Sequence, residues 1–276
     1  MIKLKSLLPE TADPNQRITS LDGDIKEFIE TNCKEAIAAV KRGFEIYRAD
    51  PGFYDVASLV KASTSPRSSA NGSSNHYMVY VDESPYWKEY PRRSYSAICG
   101  GYGEAIAYGE PYLILFLGNP KLGRVTCGDF WCTKTIGGNG LLLDFIDELG
   151  DLFDAVGNTD INSWNRDPAI YNVKLEELRA LYDKHQLPPK INGRRRVFLD
   201  YLIGCGAHKH EDFYKAFYGY FTPTTAGAKV ANLSQLSGST KGMEIWGEGS
   251  FVAIDRDVFW KLIGASTDRV TADEFD

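Results

Sequence analysis

From Asp24 onward, apolar positions recur every three to four residues. Ile25, Phe28, Ile29, Cys33, Ala36, Ile37 and Val40 share one face and predict an amphipathic helix. Asp24 with Glu27 three residues later forms a capping-box pattern, with Asp in the Ser/Thr place, and Gly43 supplies the stop. The period then shortens to two, and residues 44–50 predict a strand with Phe44, Ile46 and Arg48 on one face. An arginine on the apolar side of a strand is costly without a partner. The pattern therefore leaves three readings open: a partnered Arg48, an exposed strand end, or a register off by one residue.

Residues 61–76 are crowded with turn formers and predict a polar loop, in which Arg67, Asn71 and Asn75 offer donors to a ligand. A strand is predicted over 77–81. Another is predicted through Arg93-Ser94-Tyr95-Ser96-Ala97-Ile98-Cys99, where the period of two puts Ser94 and Ser96 side by side on one face. A short helix follows through Ala105-Ile106-Ala107-Tyr108, then a buried strand over 113–117 and turns at 118–120 and 122–123.

From Leu141 the pattern becomes helical again. Leu142, Phe145, Ile146, Leu149, Leu152, Phe153 and Val156 line one face of a helix, and a second helix is predicted near 173–185, stopped by Pro188-Pro189. Phe213, Tyr214, Phe217, Tyr218 and Phe221 mark a further aromatic helix, so 141–235 reads as a mostly helical module. Its Arg194-Arg195-Arg196 triplet reads as a solvated helix end rather than a nucleic-acid clamp. A Gly/Ser-rich loop at 236–242 then opens into Met243-Glu244-Ile245-Trp246. Strand pattern resumes through 251–255, and a last short helix covers 258–263. Residues 1–20 read as a polar arm and the acidic tail as frayed.

At 276 residues, 43% of them hydrophobic, the chain is long enough for one large domain or two small ones. The balance of 31 basic and 37 acidic residues argues against nonspecific nucleic-acid binding over the whole surface, though a local basic patch stays open. The 16 Tyr, 14 Phe and 5 Trp predict a thick aromatic core. No apolar run approaches the ~18 residues of a membrane span, and the opening Met-Ile-Lys-Leu-Lys lacks the apolar core of a signal peptide. Five cysteines, odd in number and scattered, read as reduced thiols and hence an intracellular protein. Cys127 and Cys132, with Cys205, His208 and His210 as partners, have poor spacing for zinc.

The sequence carries no P-loop, H-E-x-x-H or G-x-S-x-G motif. Gly100-Gly101-Tyr102-Gly103 opens no long helix, so it is not a dinucleotide fingerprint. What remains is a separated triple: Arg48 on a strand, the Ser94/Ser96 pair, and Glu244 after a loop. In this order the chain resembles the ADP-ribosyltransferases of the arginine–serine–glutamate type, and 66–109 looks like bacteriophage-encoded members. The matching pieces are a helix before Tyr47-Arg48, a Ser-x-Ser segment, Ala105-Ile106-Ala107-Tyr108 in a helix, a strand, and Glu244 after the loop. The resemblance implies an α+β fold, a split mixed β-sheet core of ADP-ribosyltransferase type within one domain spanning 1–276, with 141–235 as a helical insertion. It implies NAD as co-substrate without a metal, and a macromolecular acceptor, either host protein or nucleic acid, in the cytoplasm of a bacterial host. Arg48 would hold the NAD pyrophosphate. Ser94, helped by Ser96, would orient the nicotinamide ribose, and Glu244 would bind the ribose 2′-hydroxyl and stabilise the oxocarbenium-like charge. Tyr108 would pack on the nicotinamide or ribose.

The middle motif is Ser-Tyr-Ser where the family has Ser-Thr-Ser; a literal Ser63-Thr64-Ser65 lies in the polar loop and reads as coincidence. Glu244 lacks the usual Glu or Gln two residues before it, which leaves Glu248 and Asp129 as alternative acids. An NAD glycohydrolase on the same site and a non-catalytic phage structural or host-binding protein are the rival readings.

Overall fold

The computed structural model describes residues 18–20, 24–53, 56–66, 76–136, 141–156, 168–188, 196–208 and 212–264. The chain divides into two compact units. Among the described residues, one takes those within 66–94 and 124–229, and the other those within 18–65, 95–123 and 230–264. In chain order the elements are β1 (Ile18–Ser20), α1 (Ile25–Asn32), α2 (Lys34–Lys41), β2 (Tyr47–Ala49), β3 (Ala57–Val60), α3 (His76–Glu83), β4 (Ala97–Gly100), α4 (Tyr102–Ala105), β5 (Pro111–Phe116) and β6 (Lys121–Val125). They continue with α5 (Leu142–Ala155), α6 (Pro168–Asp183), α7 (Val197–His208), α8 (Phe213–Gly219), α9 (Pro223–Ala226), β7 (Lys229–Asn232), β8 (Glu244–Gly247), β9 (Phe251–Ile254) and α10 (Arg256–Leu262).

The strands form a single open sheet in the order β1-β3-β9-β5-β2-β4-β8-β6-β7. Where the expectation was a split, mixed sheet, each pairing with a resolved register is antiparallel. The central strands β5 and β9 are almost wholly apolar and buried on both faces. Leu113, Leu115, Val252 and Ile254 face one side, and Ile114, Phe116, Phe251 and Ala253 the other.

The helix predicted from Asp24 is two helices. Asp24 caps α1 by accepting the Glu27 N–H. The chain leaves helical geometry at Cys33, whose φ of −114° and ψ of 29° end α1 and start α2. The Cys33 thiol is fully buried, 3.6 Å from the Leu115 carbonyl oxygen, and burial pushes its pKa up to about 12, so it is chemically quiet. Gly43 follows α2 at φ +84°, as its stop role requires.

Three expectations change. Residues 77–81 lie in the helix α3 and not in a strand. Tyr77, Tyr80 and Val81 are all buried at the i, i+3, i+4 spacing of a helix face, and tertiary packing overrides their β propensity. The Ser94-Tyr95-Ser96 segment is no strand either: 93–95 is a single 3₁₀ turn, and β4 begins only at Ala97. The carboxylate of Asp82 captures the N–H groups of both Arg93 and Ser94, which curls the backbone there. Leu122 and Gly123, expected in a turn, belong to β6. A Cβ on Gly123 would lie 2.2 Å from the Trp246 ring, so this glycine makes room for the indole and does not mark a bend.

In the helical unit, α5 buries Leu142, Phe145, Ile146, Leu149, Leu152 and Phe153, as its period demands. The rings of Tyr80, Phe145, Phe198 and Phe217 meet edge-on or tilted with centroids 4.8–5.6 Å apart, the favoured range for aromatic pairs. Glu148 of α5 caps α7, its two oxygens accepting the N–H groups of Phe198 and Leu199 at 3.0 and 2.9 Å. Burial raises the pKa of that carboxyl against the pull of these bonds. The helix expected from about 173 begins at Pro168. The module read over 141–235 shares its unit with 66–94 and 124–140, while 230–235 goes with the sheet. The arm at 1–17, the donors Arg67, Asn71 and Asn75, the pair Arg194-Arg195, His210 and the tail beyond 264 lie outside the described residues. Arg196 pairs with Asp200 of α7 at 3.1 Å. Among the described residues no helix is long and apolar enough to cross a membrane.

Candidate functional site

The sheet brings together segments far apart in the chain. β4 lies between β2 and β8, and one cross-strand row runs Tyr47–Gly100–Glu244. Directly opposed residues share a face, so Tyr47 and Glu244 rise on the same side, separated by a residue with no side chain. Arg48, the next residue along β2, leaves from the other side. The pleat thus puts Arg48 and Glu244 on neighbouring strands but opposite faces.

Arg48 is 9% exposed and partnered. Its Nη1 donates to the Ile98 carbonyl oxygen at 2.8 Å, and its Nη2 lies 3.5 Å from Asp50 Oδ2. Asp50 also accepts the Gly52 N–H at 3.0 Å. Of the readings left open by the sequence, the partnered arginine is the one observed. Its fork ties β2 to the backbone of β4.

The two serines part company. Ser94 belongs to the helical unit, where its hydroxyl donates to Asp82. Beside it the Arg93 guanidinium sits 3.8 Å from the centroid of the Phe130 ring, a cation–π contact in a buried setting. Ser96 belongs to the sheet unit, is buried, and stands one residue before β4.

Glu244 is 8% exposed and opens β8. The loop that delivers it is held along its length. Arg42 donates from Nε to the Leu236 carbonyl and from Nη2 to that of Ser234, at 3.0 and 2.9 Å. The Gly238 N–H returns a bond to the Arg42 carbonyl at 3.0 Å. The Thr240 hydroxyl donates to the Glu45 carbonyl at 2.5 Å, and the Met243 N–H to the Thr240 carbonyl at 3.1 Å. Glu45 in turn accepts from the Tyr47 hydroxyl and from Arg256 Nε. The Tyr47 ring meets Tyr102 of α4 edge-on at 5.3 Å. Tyr108 ends the 3₁₀ turn after α4 and is 56% exposed.

Of the alternative acids, Asp129 lies in the helical unit and caps the turn at 130–132 by accepting the Trp131 N–H at 2.9 Å. Glu248 is half-buried in the turn between β8 and β9. Cys127, Cys132 and Cys205 form no disulfide, and among the described residues no three His, Cys, Asp or Glu side chains gather as metal ligands.

Sequence reasoning missed Glu45, Arg256 and Glu104. Each has a partner far along the chain, Arg256 for Glu45 and Gly242 for Glu104, and no local spacing marks it. The glycine pair Gly100-Gly101 was visible and is explained by close approach. A Cβ on Gly101 would fall 2.6 Å from Glu104 Oε2 and 2.8 Å from the Thr240 carbonyl oxygen. Comparison of the chain with protein-family models, with curated proteins and with solved structures finds no match.

Proposed function

We propose that the sheet unit binds NAD, cleaves its nicotinamide–ribose bond and transfers ADP-ribose to a macromolecular acceptor, in the manner of the ADP-ribosyltransferases that the chain resembles. The observation that carries this reading is the adjacency of β2, β4 and β8. Tyr47, Gly100 and Glu244, far apart in the chain, form one cross-strand row, with Arg48 next to Tyr47 and Ser96 one residue before β4.

In this reading Glu244 accepts a hydrogen bond from the ribose 2′-hydroxyl. Its negative charge, in a largely water-excluded position, stabilises the positive charge that develops at C1′ as the glycosidic bond lengthens. The bonding pair leaves with nicotinamide, a lone pair of the acceptor attacks C1′, and the acceptor's proton is released. Ser96 stands one residue before β4 and orients the ribose. Tyr108 packs on a ring of the ligand. Arg48 acts as a brace for β4, since its side chain leaves from the face opposite Glu244. The polar loop 236–242 meets the acceptor.

The test is to incubate the protein with NAD labelled in the adenosine moiety and a bacterial lysate, beside a no-lysate control and Glu244→Gln. Label on a protein or nucleic-acid band that the variant fails to produce supports the transferase. Released nicotinamide without a labelled band supports the glycohydrolase, and neither product means a non-catalytic protein.

A further inference from the structure

We infer that Glu104 is a positioning residue for Glu244, acting through the loop; this inference rests on the proposed NAD chemistry. Glu104 stands on α4, beside the end of β4 and the turn that enters β8. Its Oε1 accepts the N–H of Gly242 at 3.0 Å, two residues before Glu244. Its own Cβ lies over Gly100, 2.8 Å from where a Cβ on that glycine would be, and Gly100 is the direct cross-strand partner of Glu244. One side chain therefore spans the residue opposite Glu244 and the turn that leads into it.

The turn needs such a hold. Gly242 is at φ +72°, a conformation its neighbours in β8 do not share, and its amide points away from the β4–β8 ladder toward α4. Without an acceptor this amide would be lost to solvent or buried unsatisfied, and the turn could relax. Thr240, anchored to the Glu45 carbonyl, fixes the same loop from its other side. Past the Arg42 bonds to Leu236 and Gly238, the last turn before Glu244 is thus fastened on the segment leading to Tyr47 through Thr240 and on α4 through Gly242.

The second oxygen of Glu104 refines the inference. Oε2 is buried without a hydrogen-bond partner, and it and the Thr240 carbonyl oxygen crowd the same point beside Gly101. A glutamine would keep the carbonyl acceptor for Gly242 and turn an amide N–H toward a carbonyl. The charge is therefore dispensable for holding the loop, whereas the acceptor is not. Glu104→Gln is expected to keep the wild-type geometry and Glu104→Ala to lose it.

The experiment compares wild type, Glu104→Gln, Glu104→Ala and Thr240→Val. Each is assayed for NAD turnover (kcat and KM separately) and for hydrogen exchange at the Gly242 amide. The expected result is a kcat about tenfold or more lower in Glu104→Ala, with KM for NAD within about threefold, as for misplacement of a catalytic group without loss of substrate contacts. Exchange at Gly242 speeds up in the same variant, and both readouts return to wild type in Glu104→Gln. Thr240→Val lowers kcat in the same direction and serves if Glu104→Ala fails to fold. Wild-type kcat in Glu104→Ala, unchanged Gly242 exchange, or a Glu104→Gln variant as impaired as Glu104→Ala overturns the inference. A wild-type protein that turns over no NAD sinks the functional reading instead, and the exchange data still decide whether Glu104 holds Gly242.

Discussion

Arg48 donates to the carbonyl oxygen of Ile98 at 2.8 Å, so the side chain that most resembles a ligand for NAD is spent on the backbone of the neighbouring strand. The same guanidinium faces Asp50, and both groups are buried. Breaking a buried pair leaves an uncompensated charge. Arg48→Ala should therefore lower the unfolding free energy by about 3 kcal/mol, measured by urea denaturation. Unchanged stability together with a loss of NAD affinity would give Arg48 back the pyrophosphate role.

Ser94 and Ser96 should separate cleanly in function. Ser94→Ala removes a hydroxyl bonded to the Asp82 carboxylate and is expected to cost about 1–3 kcal/mol of stability while NAD turnover persists. Ser96→Ala should do the reverse, lowering turnover with little change in the urea midpoint. The opposite pattern in paired turnover and unfolding measurements would restore Ser94 as the site serine.

Asp82 makes the helical unit sensitive to pH. Burial raises its pKa above the ordinary 3.8, against the opposing pull of bonds from Ser94 and Arg93. The folded unit then holds this proton more tightly than the unfolded chain does. The stability it confers is complete below 3.8 and is lost as pH rises through the raised folded value. In unfolding curves taken across the acidic range, the advantage of wild type over Asp82→Asn should shrink with rising pH. A gap that widens with pH would mean that Asp82 is held ionised by its partners.

Gly123→Ala should be badly tolerated for a glycine on a strand. The added methyl would sit 2.2 Å from the indole of Trp246, which is fully buried and has little room to retreat. Overpacking of this kind costs about 1–3 kcal/mol, to be read from the melting temperature. An unchanged melting temperature would show that the Trp246 ring can move.

Where burial and period agree, the sequence was legible. The α5 face, the buried strand at β5, the Asp24 cap and the Gly43 stop all follow from spacing that local physics enforces. Residues 77–81 misled because Tyr and Val favour strands, yet Tyr77, Tyr80 and Val81 pack as a helix face. Ser94 misled because its partner Asp82 lies in another element, and no alternation pattern reveals a carboxylate that curls the backbone. Arg48, Ser96 and Glu244 could be singled out one by one. Their arrangement depends on strand order and register, which come from long-range pairing, and so the opposite faces of Arg48 and Glu244 were beyond reach.

The most direct test of the proposed chemistry is nicotinamide release from NAD by the wild-type protein and by Glu244→Gln, with folding of both checked by circular dichroism. The expected result is release by wild type and a loss of about 100-fold or more in the variant, the scale seen when a preorganised electrostatic group is removed from a transition state. Equal release by both folded proteins would contradict the assignment of Glu244, and no release by either would contradict the NAD chemistry itself.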